Sequence, residues 1–123
     1  MLQNFNFDYD SENDSLFVYN PKSKSKASVE MDDFIIDFSS RKEISGIELL
    51  NATEFLKSLE FEDQRINIKE LLKNIEECKI EIIVKENFFV IKFILISKSK
   101  ERIATPLVIP TINEPSPALA AVA

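Results

Sequence analysis

Acidic side chains recur at every second residue in Asp8, Asp10, Glu12 and Asp14. That is the spacing with which the first half of a calcium loop presents its oxygens. The match stops there. The sixth position of such a loop needs a glycine and holds Asn13, and the twelfth needs a bidentate glutamate and holds Tyr19. The acids therefore read as a strand face running into a hairpin turn. A second pair is Asp37 and Glu48. Matching the apolar faces of their strands puts both on the face opposite Phe34, Ile36, Phe38, Ile47 and Leu49, as diagonal neighbours. Paired carboxylates serve glycoside hydrolysis or a hard-metal site. No third ligand follows at a telling spacing, so the solvent face of a hairpin is the first reading.

Cys78 follows Glu76 and Glu77, whose charges raise a thiol's pKa and make it a poor nucleophile. It is expected to be a buried packing residue between a helix and a strand. Lys22, Lys24 and Lys26 alternate with serines. Without interleaved aromatic or arginine side chains they read as a solvated loop and not as a nucleic-acid patch.

The missing residue types exclude more than the motifs admit. The chain has no histidine, hence no histidine general base, no Ser-His or Cys-His nucleophile pair and no histidine metal ligand. Its single glycine, Gly46, rules out a P-loop and a dinucleotide fingerprint. One cysteine rules out an internal disulfide and, without histidine, an ordinary zinc site. No catalytic residues, cofactor or metal are assigned, and the protein is expected not to be an enzyme.

With 123 residues, 45% hydrophobic and 29% charged, the chain can build one core unaided. The N-terminus has neither a basic start nor an apolar core, so no signal peptide is expected. The longest apolar run, residues 88–96, holds Lys92 and is too short to span a bilayer as a helix. A cytoplasmic location with no membrane association is expected. Net charge is −6, and residues 1–60 hold 12 acids against 6 bases while residues 61–123 hold 9 of each. That imbalance argues against nucleic acid and suits a basic protein partner.

The pattern predicts an α+β fold: antiparallel sheet, in one or two layers, with two short helices between strands five and six. Residues 4–10 alternate, with Phe5, Phe7 and Tyr9 on one face. Strands follow at 16–19, 27–31, 34–38 and 44–50. Asn51 with Glu54, and Asn67 with Glu70, read as helix N-caps. Ile68, Leu71, Leu72 and Ile75 then form one helical stripe. Strands resume at 79–85, 88–96 and 102–109, the last at a sheet edge because Pro106 cannot donate to a ladder. Residues 1–112 are taken as one domain, with a β-rich part to residue 60 and an αβββ part after it. Residues 113–123, Pro-rich, are expected to be a flexible tail. Both faces of 88–96 are apolar, which predicts a homodimer through the C-terminal half.

Three blocks, Tyr9-Asp10-Ser-Glu-Asn-Asp14-Ser-Leu16-Phe-Val-Tyr19, Phe34-Ile-Ile-Asp37-Phe and Gly46-Ile-Glu48-Leu-Leu-Asn-Ala52-Thr, together with Ser28-Val-Glu, resemble the domain of unknown function 2283 family over residues 5–55. These are small bacterial and archaeal domains. The resemblance implies no assigned activity. Some members lie beside small toxin genes, which implies an antitoxin-like or toxin-binding role for those members. The positions matching the family pattern are Asp10, Asp14, Asp37, Gly46 and Glu48. Asp14 reads as a turn residue and Gly46 as a bulge or close-approach residue. The expected function is a protein-interaction module, with a small-ligand or metal site at Asp37 and Glu48 as the alternative.

Overall fold

The computed structural model describes residues 3–41, 43–58 and 66–110. Strand β1 (Gln3–Asp10) turns into β2 (Ser15–Tyr19). The turn is built by Asp10, whose carboxylate accepts the backbone N–H groups of Glu12 and Asn13 and the side-chain amide of Asn13. It closes on Asp14, at a left-handed φ of 53° that Asp tolerates better than most residues. Strands β3 (Ala27–Met31) and β4 (Phe34–Phe38) are joined by Asp32-Asp33, and Asp32 likewise takes a φ of 47°. In β5 (Ile44–Leu49), Gly46 stands opposite Asp37 and Ile44 opposite Phe38, so Ser45 is the extra residue of a bulge.

Two short helices follow, α1 (Ala52–Ser58) and α2 (Ile68–Lys73). Then come β6 (Ile75–Val84), β7 (Phe88–Ser97) and β8 (Arg102–Pro110). Every pairing is antiparallel, in the order β3-β4-β5-β2-β1-β6-β7-β8. The fold is thus α+β and dominated by antiparallel sheet, with both helices between β5 and β6. β1 divides its length: Gln3–Phe5 pair with β6, and Asn6–Asp10 pair with β2. Pro106 does sit in an edge strand, β8.

Leu16, Val18, Ile36, Ile47 and Leu49 from the first five strands share one buried cluster with Leu56, Leu71 and Leu72 of the helices. Ile80, Ile91, Phe93, Leu95 and Ile103 of the last three strands belong to the same cluster. α1 is fixed over β4 by an edge-on contact of Phe55 with Phe34, centroids 5.6 Å apart.

Three local expectations are corrected. The helical stripe stops at Leu72: Asn74 ends α2, and Ile75, though buried, begins β6. Cys78 consequently lies inside β6, opposite Phe5 on one side and Leu95 on the other, instead of between helix and strand. At α1 the expected cap fails. Asn51 has a φ of 49°, unlike the extended angle of an N-cap, and the first-turn N–H of Thr53 is taken by the carboxylate of Asp14. Asn67 behaves as expected, its side-chain oxygen accepting the N–H of Glu70 at 3.2 Å. The expected tail, residues 113–123, lies outside the described residues.

Candidate functional site

Because side chains alternate along a strand, the face of β1–β5 turned away from the core is set by register. Two rows cross all five strands. One runs Asp8, Phe17, Glu48, Ile35, Glu30. The next runs Asn6, Tyr19, Gly46, Asp37, Ser28. Asp37 and Glu48 are diagonal neighbours on it, as the matching of apolar faces implies. The charged positions of these two rows, Asp8, Glu48, Glu30 and Asp37, are all acidic.

Its centre is aromatic. Phe17 is 39% exposed and stacks on Tyr19 with centroids 5.0 Å apart and planes inclined by 19°. Gly46 lies beneath. A Cβ there would stand 3.1 Å from Phe17 Cε1, 3.2 Å from the Val18 carbonyl oxygen and 3.4 Å from Asp37 Oδ2. Gly46 has no positive φ, so what requires glycine is the close approach of the ring and the neighbouring backbone. Ser28 Oγ donates to Asp37 Oδ1 at 2.5 Å, which holds that carboxylate across to β3. Sequence reasoning missed the aromatic pair. The signal was present: Phe17 and Tyr19 alternate with Leu16 and Val18, so they must point away from the core.

Asp14 faces the other way and ties the hairpin to α1. Tyr9 Oη donates to its carboxylate at 2.6 Å, Thr53 Oγ1 at 2.8 Å, and the Thr53 N–H at 3.0 Å. The Ala52 N–H donates to the Asp14 carbonyl at 2.8 Å. Burial opposes ionisation of this carboxyl, but the bonds from Tyr9 and Thr53 outweigh it, with Lys69 adding attraction, and its pKa is lowered. The Tyr9 phenol is raised, by burial first and then by its bond to Asp14. Asp10 is lowered by the donors of Asn13 and Glu12 in its own turn.

The alternating acids of the first hairpin are therefore dispersed: Asp8 on the outward face, Asp10 occupied in the turn, Asp14 beneath α1. Among the described residues no group of His, Cys, Asp or Glu is placed to hold a metal. Calorimetric titration is expected to detect no calcium binding tighter than about 1 mM, the weak end of calcium modules. A sub-millimolar isotherm would contradict it.

Cys78 is buried, and burial pushes its thiol up to about 12, so it is inert as a nucleophile in the folded chain. A cleft is lined by Asn20, Lys22, Lys24, Ser39 and Arg41, but neither Asp37 nor Glu48 reaches it. No helix among the described residues is long and apolar enough to cross a membrane.

An uncharacterised protein of Methanocaldococcus jannaschii is 40% identical over 68 residues, which cover 55% of this chain and 52% of that relative. A Methanosarcina mazei protein, provisionally named a hypoxanthine phosphoribosyltransferase, is 34% identical over 71 residues, covering 52% of this chain and 58% of that one. The chain spans about half the length of these curated relatives. No solved structure matches it. Residues 6–52, from β1 to the first residue of α1, match the family described as protein of unknown function DUF2283, the family that the blocks around Asp10, Asp14, Asp37, Gly46 and Glu48 resemble.

Proposed function

We propose that the chain is a protein-interaction module whose acidic outward face of β1–β5 engages a basic partner, in the manner of an antitoxin. The observation that carries this reading is the exposed Phe17, stacked on half-buried Tyr19 and ringed by Asp8, Asp37 and Glu48. An aromatic anchor within a rim of one charge sign is how interfaces concentrate binding energy and select partners. A guanidinium laid on the Phe17 ring would gain cation–π attraction and meet the Glu48 carboxylate beside it. The face lies within the segment shared with the family. The metal or small-ligand alternative draws less support, since Asp37 is engaged by Ser28 and the cleft lies elsewhere. The activity named for the M. mazei relative is not carried over. It is said of a protein of which the chain covers 58%, and the one glycine here lies in a strand beneath Phe17 and not in a phosphate loop.

The test is recovery of basic host proteins on the immobilised chain, compared with Phe17→Ala and Glu48→Lys. Both substitutions are expected to lower recovery at least about tenfold, the scale of a hot-spot loss. The native interaction is expected to weaken as salt rises. Equal recovery by the native chain and both variants would refute the reading.

A further inference from the structure

We propose that the cleft between the β2–β3 and β4–β5 connections binds a small phosphorylated anion, such as a diphosphate. Residues 1–60 are rich in acids, yet their bases are not scattered. Lys22, Lys24, Lys26, Arg41 and Lys42 fall within residues 20–26 and 39–43, which leaves Lys57 outside. The two stretches are remote in sequence. β2 pairs with β5 and β3 with β4, so register brings both connections to one end of the sheet. The Asn20 N–H donates to the Ser45 carbonyl at 2.9 Å and the Lys26 N–H to the Phe38 carbonyl at 2.7 Å, which fixes the first connection beside the second. Each is also shaped by the side chain at its start. The Asn20 side-chain oxygen accepts the Lys22 N–H at 3.0 Å, and Ser39 Oγ accepts the Arg41 N–H at 3.2 Å.

The cleft has a volume of about 510 Å³, within the range of small-ligand sites. Lys22, Lys24 and Arg41 line it, together with Ser23, Ser39 and Ser40. Among the described residues no carboxylate forms an ion pair with any of the three cations. Like charges gathered around one cleft repel, and a bound anion relieves that repulsion. A guanidinium presents paired donors that match two oxygens of a phosphoryl group, lysines add point charges, and hydroxyls add neutral donors. No aromatic or aliphatic side chain lines the cleft, so a nucleobase would find no stacking surface. A nucleic-acid strand is unsuited for a second reason. Asp37, two residues before Ser39, belongs to the acidic rows, which an extended polyanion would meet and a compact one avoids. Glu43 also lines the cleft, and its charge opposes an anion.

The test is calorimetric titration of the full chain with inorganic pyrophosphate at roughly 150 mM salt, where distant exposed charges are screened. The native chain is expected to bind with a dissociation constant below about 1 mM. Arg41→Ala and, independently, the double variant Lys22→Ala with Lys24→Ala are expected to raise that constant at least about tenfold, the scale of a lost charge-assisted bond. Glu43→Gln removes the opposing charge and is expected to tighten binding at least about twofold, an effect that a purely structural role would not produce. Lys98→Ala removes the same charge from the turn after β7 and is expected to change nothing. All these positions are exposed, so an unchanged melting temperature will show that the variants fold. Native binding weaker than stated, equal losses from Lys98→Ala and Arg41→Ala, weaker binding by Glu43→Gln, or tighter binding of a short single-stranded oligonucleotide than of pyrophosphate would each overturn the proposal.

Discussion

Phe93→Ala is expected to destabilise both ends of the sheet together, by about 3–5 kcal/mol. Phe93 is only 1% exposed and stands between Ile80 and Thr105 in the ladder. Truncation removes the largest fully buried side chain and leaves a cavity that β6 and β8, held by their ladders, cannot collapse to fill. The chain offers a built-in probe of how far this damage travels. It has no tryptophan, and its two tyrosines, Tyr9 and Tyr19, both lie in the N-terminal hairpin. If the buried cluster is one cooperative core, tyrosine fluorescence and far-UV dichroism will report a single transition. In the variant that transition will move down by roughly ten degrees or more, given a few degrees per kcal/mol at this size. A tyrosine transition that stays in place while the dichroism shifts would mean that two halves unfold separately.

Asp14→Ala is expected to cost about 2–4 kcal/mol, combining a lost helix cap with the poor tolerance of Ala for a left-handed angle. It leaves three donors, the Tyr9 hydroxyl and the Thr53 hydroxyl and N–H, without their acceptor. Asp14→Asn separates the contributions, because Asn keeps the backbone tolerance and loses the charge. The pH dependence has a definite sign. Asp14 has a folded-state pKa below its unfolded value, so its ionisation stabilises the fold above pH ~4 and that contribution is lost as pH falls through the folded pKa. The stability gap between native chain and Asp14→Asn should therefore be full near neutrality and close in acid. A gap that stays constant from neutral pH down to the most acidic pH at which the chain still folds would show that the charge of Asp14 plays no part.

Much of the local architecture was legible in the residues. Alternation in Phe5, Phe7 and Tyr9 and in Leu16 and Val18 predicts strands because burial of one sheet face imposes a period of two. The same period predicts that Asp37 and Glu48 share the outward face, and Pro106 predicts an edge, because it has no N–H to give. Asn67 announces α2, since its partner N–H lies only three residues away. The alternating acids were legible as a strand running into a turn.

The tertiary structure alone decided whatever depends on partners distant in sequence. Asn51 carries the chemistry of a cap, yet α1 is capped by Asp14, 39 residues earlier, because β2–β5 pairing brings the first turn to the helix. Ile75 fits the helical stripe equally well, and becomes a strand residue because β7 offers it a ladder partner in Ser97. That Phe17 and Tyr19 lie on a glycine, among carboxylates from three other strands, follows from the placement of β5 beside β2. Periodicity records which side chains are buried, whereas the identity of the strand that buries them is settled only when the chain closes its long loops and the apolar faces meet.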